Sequence, residues 1–345
     1  MQLIATVAVP TLLADASLEE CIAGLRSQTR QDFEIIVIDN SGCELVRRRG
    51  LEGIRIISMP GNAGFGSAIN RAFEQSSAPF LITLNDDAVP CAGWLAALVA
   101  AAESDGQVGM CASQVRLGNE ARLGNQGRLD NEVLDSAGML IYGDGSSKQR
   151  GHGEPSASYA NQEDVLLPSA SAALYRRVML DRIGLFDEHF FLYCEDTDLG
   201  LRARRAGWRC LYVPRAVVEH RYSHSAGRVS NLKAYYVERN RIFVAMKNFP
   251  LRMLMALPLC GTRRYIAHVR AAFGGTGKSA QFRGENGGIA ALAAIAVKAH
   301  FALLAAAARI VRQRGSIRKG ARLSEREFTQ LLSLHSTTAG EIARH

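Results

Sequence analysis

Between residues 4 and 87 the chain alternates short β-branched apolar runs with amphipathic stretches, and this rhythm restricts the fold more than any other feature. Ile4–Val9, Phe33–Ile38, Ile54–Ile57 and Phe80–Leu84 read as strands, with helical segments around Leu18–Gln28 and Ala68–Gln75. Strand–helix–strand units imply an α/β fold with a mostly parallel sheet, whose ligands sit beyond the carboxyl ends of the strands. Polar groups are expected just after those strands, and they occur there. Ile35–Ile38 runs into Asp39-Asn40-Ser41-Gly42, and Phe80–Leu84 into Asn85-Asp86-Asp87-Ala88.

A helix is expected over Trp94–Glu103, then long loops and irregular strands from about Gly118 to Glu163, where Gly, Asn, Ser and Asp dominate. Order returns at Val165–Leu174 and a helix through about Ile183, followed by a dense polar and aromatic block from Phe186 to Ser225. Past Pro250 the composition turns to Ala, Leu and Arg. The expected division is a catalytic domain at residues 1–250 and a helical extension at residues 251–345. The charge divides at the same place. The formal net charge of +8 suggests a polyanionic partner, yet 15 basic and 4 acidic side chains fall after Pro250, leaving 26 and 29 before it. The basicity belongs to the tail, and no aromatic residues interleave with it as nucleic-acid binding would require.

Seven cysteines lie scattered, with no Cys-x-x-Cys pair and no histidine spaced to complete a zinc site, the pattern of idle thiols in a reducing compartment. The run Met1–Pro10 lacks the basic region and cleavage site of a signal peptide, so a cytoplasmic location is expected. No window of about 20 residues is both apolar and charge-free, so no spanning helix is expected. Ile289–Val311 reads as one helix with Lys298, Arg309 and Arg312 on one face and Leu292, Ala296, Leu303, Ala307 and Ile310 opposite. With the basic cluster Arg312, Arg314, Arg318, Lys319 and Arg322, it either lies on an anionic membrane surface at the cytoplasmic face of the inner membrane or packs on the catalytic domain.

Asp86 and Asp87 place like charges side by side at the end of a buried strand, a repulsion that a divalent cation resolves; the alternative is a polar strand end with one Asp capping the next helix. A second cluster, Glu195-Asp196-Thr197-Asp198, lies between the aromatic run Phe190–Tyr193 and a basic helix at Leu199–Ala206. Helix capping accounts for one of these acids but poorly for three.

In this order the motifs resemble glycosyltransferase family 2, the inverting GT-A type, and within it the bacterial rhamnosyltransferase-like branch that builds surface polysaccharides. The resemblance covers roughly residues 3–250. It rests on Val7-Ala8-Val9-Pro10-Thr11, Glu34 to Ser41, Gly61-Asn62-Ala63-Gly64-Phe65-Gly66 with Asn70, Leu84-Asn85-Asp86-Asp87, and Gly184 to Glu188 through Glu195-Asp196 to His220. It implies a GT-A central sheet flanked by helices, and a sugar moved from a nucleoside-diphosphate carrier to a hydroxyl of a glycan or polyprenyl-linked acceptor. It also implies a donor site formed by Pro10, Thr11, Asp39, Asn40, Asn62, Gly64, Asn70 and Asp86. Asp87 stands for the last acid of the metal motif, His220 completes the shell of a Mg²⁺ or Mn²⁺ ion, and Asp196 is the general base. Tyr193, Glu195 and Trp208 fall on the acceptor side, though both aromatics read equally as core, core being the preferred reading for Trp208, and His224 rivals His220. One carboxylate suffices for a single inverting displacement.

Leu12-Leu13 replaces the family's aromatic and Asn, which leaves the nucleotide open, and Ser169-Ala170-Ser171 replaces its Gly-rich element. Gly274-Gly275-Thr276-Gly277-Lys278-Ser279 imitates a phosphate-binding loop, but Ala272 occupies its first glycine position and no buried strand precedes it. Two other classes remain as alternatives, a nucleotidyltransferase and a carbohydrate-binding protein on a decayed transferase fold. The first lacks a basic loop after its first strand, because Pro10–Glu20 contains no Lys or Arg.

Overall fold

A computed structural model describes residues 3–118, 132–220, 230–274 and 288–344. His224 and most of the glycine-rich stretch after Phe273 lie outside them. The chain divides into two compact units. The first takes Met1–Met139, Gln149–Phe191 and Trp208–Ser225, and the second Leu140–Lys148, Leu192–Gly207 and Ala226–His345.

The first unit is built on a ten-stranded sheet. Strands β1 (Ala5–Thr11), β2 (Phe33–Asp39), β3 (Arg55–Ser58) and β4 (Phe80–Leu84) form where the apolar runs led us to expect them. They lie in the order β3-β2-β1-β4, all parallel. Six of the seven β1 residues and all five of β4 are buried, as strands covered on both faces require. The sheet continues through β11 (Ala172–Arg176), antiparallel to β4 and to β6 (Val108–Leu117), and then β12 (Arg209–His220), parallel to β6. Short strands β5 (Ala88–Pro90), β7 (Leu134–Ser136) and β10 (Glu163–Asp164) pair antiparallel at this end. β7, with the hairpin β8 (Met139–Ile141) and β9 (Ser147–Gln149), supplies the irregular strands expected before Glu163.

Helices α1 (Ala16–Arg26) and α4 (Trp94–Glu103) enclose the larger apolar core, with Leu18, Ile22, Leu25, Trp94, Leu98 and Val99 against the sheet. Asp15 starts α1 by accepting from the Ser17 amide at 2.9 Å. Helix α3 (Phe65–Glu74) packs beside β1 and β2, burying Ile69 and Phe73. The sheet order reverses between β1 and β4, since β1 leads outward to β2 on one side while β4 lies on the other. In open α/β sheets such a switch point, at the carboxyl ends of the strands, is where ligands bind.

After α2 (Leu45–Arg49) and α5 (Arg177–Ile183) of the first unit, the second unit is helical: α6 (Glu195–Arg205), α7 (Asn231–Asn248), α8 (Leu251–Phe273), α9 (Gly288–Lys319), α10 (Glu325–Leu334) and α11 (Ala339–Arg344). The expected division at Pro250 falls inside it. The reason is packing: α9 lies along α7, with Lys298 over the Tyr235 ring and Arg309 over Phe243, and Asp198 of α6 pairs with Lys247 of α7 at 2.9 Å. A buried ionic cluster joins α7 to α8. Arg264 meets Asp144 at 2.6 Å and Glu238 at 2.7 Å, Arg241 pairs with Glu238, and the guanidinium groups hold the buried Glu238 carboxyl down at about 2.

Candidate active site

Because β1, β2, β4, β6 and β12 run in one direction, Thr11, Asp39, the Asn85-Asp86-Asp87 turn and His220 all emerge at one edge of the sheet. Ser169-Ala170-Ser171 leads into β11 at the same edge, where the Ser171 carbonyl accepts from the Asn85 amide at 2.9 Å.

The densest chemistry there is a line of charged groups. His220 Nε2 lies 3.1 Å from Asp87 Oδ1, and His220 Nδ1 lies 2.9 Å from Asp135 Oδ2; all three side chains are buried. Burial alone would discharge the imidazole, but the two carboxylates outweigh it and lift its pKa to about 10. Asp135, on β7, also meets His152 Nδ1 at 3.0 Å, and these imidazoles hold its carboxyl far below the ordinary range despite its burial. Asp86, beside Asp87, is pushed up to about 6 by burial and by Asp87 and Asp15, while the Thr11 hydroxyl opposes the rise.

This arrangement fits a divalent cation. One carboxylate oxygen and one imidazole nitrogen converge, and the far ring nitrogen is held by a second carboxylate, as ligating histidines commonly are. A cation between Asp87 and His220 would take the place of the imidazole proton. Among the described residues no group of three or more His, Cys, Asp or Glu side chains forms a ligand set. Asp135 and His152 were not expected, because both lie in a stretch without periodicity; only the β6–β7 pairing brings them to the edge.

Several expected donor residues do structural work. Asp39 Oδ2 accepts from the Val46 amide at 2.8 Å, and Oδ1 from the amide and hydroxyl of Ser41, so its carboxylate organises the turn after β2. These hydrogen bonds outweigh burial and keep its pKa low. Asn40 donates to the Asn62 side chain and the Gly64 carbonyl and accepts from the Ala63 amide, while Asn62 accepts from the Gly64 amide. Asn70 donates to the Phe186 carbonyl at 2.9 Å and to Glu188 at 3.1 Å, and accepts from the Phe186 amide at 3.1 Å. Both N–H groups of Asn40 and of Asn70 are thus spent within the protein, which removes them as donors to a nucleotide. Gly64 holds φ +86°, and a Cβ there would lie 2.3 Å from the Phe191 carbonyl oxygen. Its bareness admits the Phe191 backbone rather than a ligand. Pro10 is the half-buried member of β1, next to Thr11.

Trp208 precedes the amino end of β12, the opposite end from His220, and packs around Gly109 with Met179. There it is half-buried, at the end of the sheet away from His220.

In the second unit the acids after Cys194 divide by environment. Asp198 is fully buried and paired with Arg202 at 2.9 Å and Lys247 at 2.9 Å, a structural hub that ion pairing explains without any substrate. Glu195 is buried and raised to about 8 by that burial and by neighbouring Asp196. Asp196 is the half-buried one, with Oδ1 accepting from the Thr197 amide at 2.6 Å. The backbone leading there is strained, with φ of 64° at Phe191, 66° at Tyr193 and 67° at Cys194. Asn240, also unforeseen, donates to the carbonyls of Leu192 and Tyr193 at 2.7 Å each and holds that turn, and Lys233 caps the Tyr193 ring.

The sequence profile of Glycosyl transferase family 2 matches residues 6–184. The N-acetylglucosaminyl-diphospho-decaprenol L-rhamnosyltransferase of Mycobacterium tuberculosis is 29% identical over 257 residues, 66% of this chain and 80% of the relative. Rhamnosyltransferase WbbL of Escherichia coli is 39% identical over 77 residues, 20% of this chain and 28% of WbbL. Among solved structures, GalNAc-T7 with UDP, GalNAc and Mn²⁺ superimposes with a TM-score of 0.57 at 14% identity, over 78% of this chain and 51% of that one, so this chain spans about half its length; the likeness extends to the GT-A fold. With the profile covering more than half of the residues and the sheet edge carrying the acids in the family's order, the chain belongs to glycosyl transferase family 2.

Proposed function

We propose that the protein is a metal-dependent inverting glycosyltransferase that moves a sugar from a nucleoside-diphosphate donor to a hydroxyl of a lipid-linked glycan. The observation that carries this is the Asp135–His220–Asp87 line at the carboxyl ends of the parallel strands, the edge from which Asp86 and the Asp39 turn also emerge. The names of the relatives support rhamnose as the sugar and a polyprenyl-diphosphate-linked N-acetylglucosamine as the acceptor.

Asp87 and His220 would hold a divalent cation, Mg²⁺ or Mn²⁺, which would supply positive charge to offset the negative charge growing on the departing diphosphate. Asp135 keeps the His220 ring oriented. Asp86, ionised at neutral pH with its pKa near 6, accepts from hydroxyls of the donor. The Asp39 turn and the Asn40–Asn62 bracket shape the nucleoside wall. Asp196 accepts the proton of the acceptor hydroxyl as its oxygen attacks the anomeric carbon. The bond from that carbon to the phosphate oxygen breaks in the same step, its electron pair leaves with the nucleoside diphosphate, and configuration inverts. Tyr193 and Glu195 stand on the acceptor side.

Transfer assays with a panel of nucleoside-diphosphate sugars and Mn²⁺ test this. Asp196→Asn is expected to lower turnover about 10²- to 10⁴-fold while donor binding persists. Wild-type transfer from none of the donors would refute the reading, and undiminished turnover in the variant would remove Asp196 as the base.

A further inference from the structure

Helix α8 runs for 23 residues without an acid, and its apolar side chains follow a strict pattern. Leu251, Met255, Leu259, Ile266, Val269 and Phe273 fall within an arc of about 80° at 100° per residue, and each is between 45% and 77% exposed. Arg252, Arg263 and Arg270, all exposed, form a row along one border of that stripe. The opposite side of α8 is occupied, since Arg264 enters the buried cluster with Glu238 and Asp144. Helix α9 repeats the arrangement. It too contains no acid; Val297, Phe301, Leu304 and Val311 share one face, 56% to 70% exposed, and Arg312 and Lys319 follow at its carboxyl end.

We infer that the exposed stripes of α8 and α9 dock the protein on an anionic lipid bilayer, with the apolar side chains entering the acyl boundary and the arginines meeting headgroup phosphates. Soluble monomers rarely leave apolar stripes of this extent uncovered. Charge selects the occupant. A second copy would bring arginine rows against arginine rows with no acid on either helix to pair them, whereas an anionic bilayer offers negative charge directly above an apolar interior. α9 is long and apolar enough to cross a membrane by composition. One of its sides is taken by α7, however, with Lys298 capping Tyr235, so it lies in the interface instead. This inference does not depend on the sugar or on the acceptor.

The test is flotation of the full chain with vesicles of phosphatidylcholine alone and of phosphatidylcholine mixed with phosphatidylglycerol, at low and high salt. Binding is expected only to the anionic vesicles, and high salt is expected to weaken it. Arg252→Gln, Arg263→Gln and Arg270→Gln together should lower partitioning about 100-fold, each contributing about fivefold. Met255→Gln, Leu259→Gln and Phe273→Gln together should abolish it, with the thermal transition of both triple variants unchanged because the side chains are exposed. Absence of binding at low salt, or binding that neither triple variant weakens, overturns the inference. Retention on vesicles after alkaline carbonate would instead mean a spanning α9, and a dimer in gel filtration that Met255→Gln dissolves would give the face to a second copy; either result overturns it.

Discussion

Replacing Asp135 with Asn tests whether the buried histidine is a ligand or merely a core residue. The amide keeps the shape of the carboxyl group and one accepting oxygen, but removes the charge that faces His220 Nδ1 at 2.9 Å and His152 Nδ1 at 3.0 Å. Two effects oppose each other at His220. Loss of one of its two flanking carboxylates lets its pKa fall from about 10, so its proton is easier to expel. Against that, the ring loses the partner that orients it and raises its basicity as a ligand. Removing such an outer partner typically costs ten- to a hundredfold in metal affinity or activity, about 1.4 to 2.7 kcal/mol, and orientation is expected to dominate here because His220 and Asp135 are both buried. The assay is the initial rate of sugar transfer against Mn²⁺ concentration at saturating donor. The half-saturating Mn²⁺ concentration should rise ten- to a hundredfold, with a smaller change in kcat at saturation. A Mn²⁺ curve within twofold of wild type, measured alongside an inactive Asp87→Asn, would refute the ligand role and leave Asp135 as scaffold.

Gly64→Ala brings a Cβ to 2.3 Å from the Phe191 carbonyl at a φ of +86°, and should cost roughly 2–3 kcal/mol in urea-induced unfolding. Glu195, raised to about 8 against an ordinary 4.5, binds its proton more tightly folded than unfolded, so its burial costs stability increasingly as pH climbs from 4.5 to 8. Glu195→Gln should therefore melt at a higher temperature than wild type at pH 8.5, with the difference fading toward pH 5. Arg264→Met leaves Glu238 and Asp144 short of a buried partner and should lose about 3–5 kcal/mol by denaturant titration. In the wild type, the carboxyl of Glu238, held near 2, contributes stability present above pH 4.5 that should drain away as pH falls toward 2.

The parallel half of the sheet was legible because each strand announces itself twice, by a β-branched run and by the polar residues that end it. β1 to β4 appear within two residues of their expected bounds at either end, and Asp39, Asp86 and Asp87 emerge where the pattern leads. What failed to show was anything held by distant pairing. β7 spans three residues and has no periodicity, so Asp135 looked like one more loop acid until the pairing of β6 with β7 carried it to His220. Composition and the contact units divide the chain at different places for a related reason. Composition changes at Pro250, but contacts gather α7 with α9 of the tail by packing and with α6 through the Lys247–Asp198 pair.

Among the polar residues of the motifs, the sequence marks position but not employment. Asn40, Asn62 and Asn70 sit where a nucleotide site is expected, yet each amide has a fixed number of hydrogen bonds to give, and counting them separates ligand contacts from brackets. Asn70 spends all its N–H groups on Phe186 and Glu188, so a substitution there should disturb the Gly184–Glu188 turn before it disturbs donor affinity. The same counting divides Glu195-Asp196-Thr197-Asp198: Asp198 is consumed by Arg202, Lys247 and Asn248, Glu195 is driven toward its neutral form, and Asp196 is the half-buried acid of the three, the one we propose as the base. Three neighbouring carboxylates that look equivalent in sequence thus occupy three environments, fixed by burial and by which cations the helices bring to them.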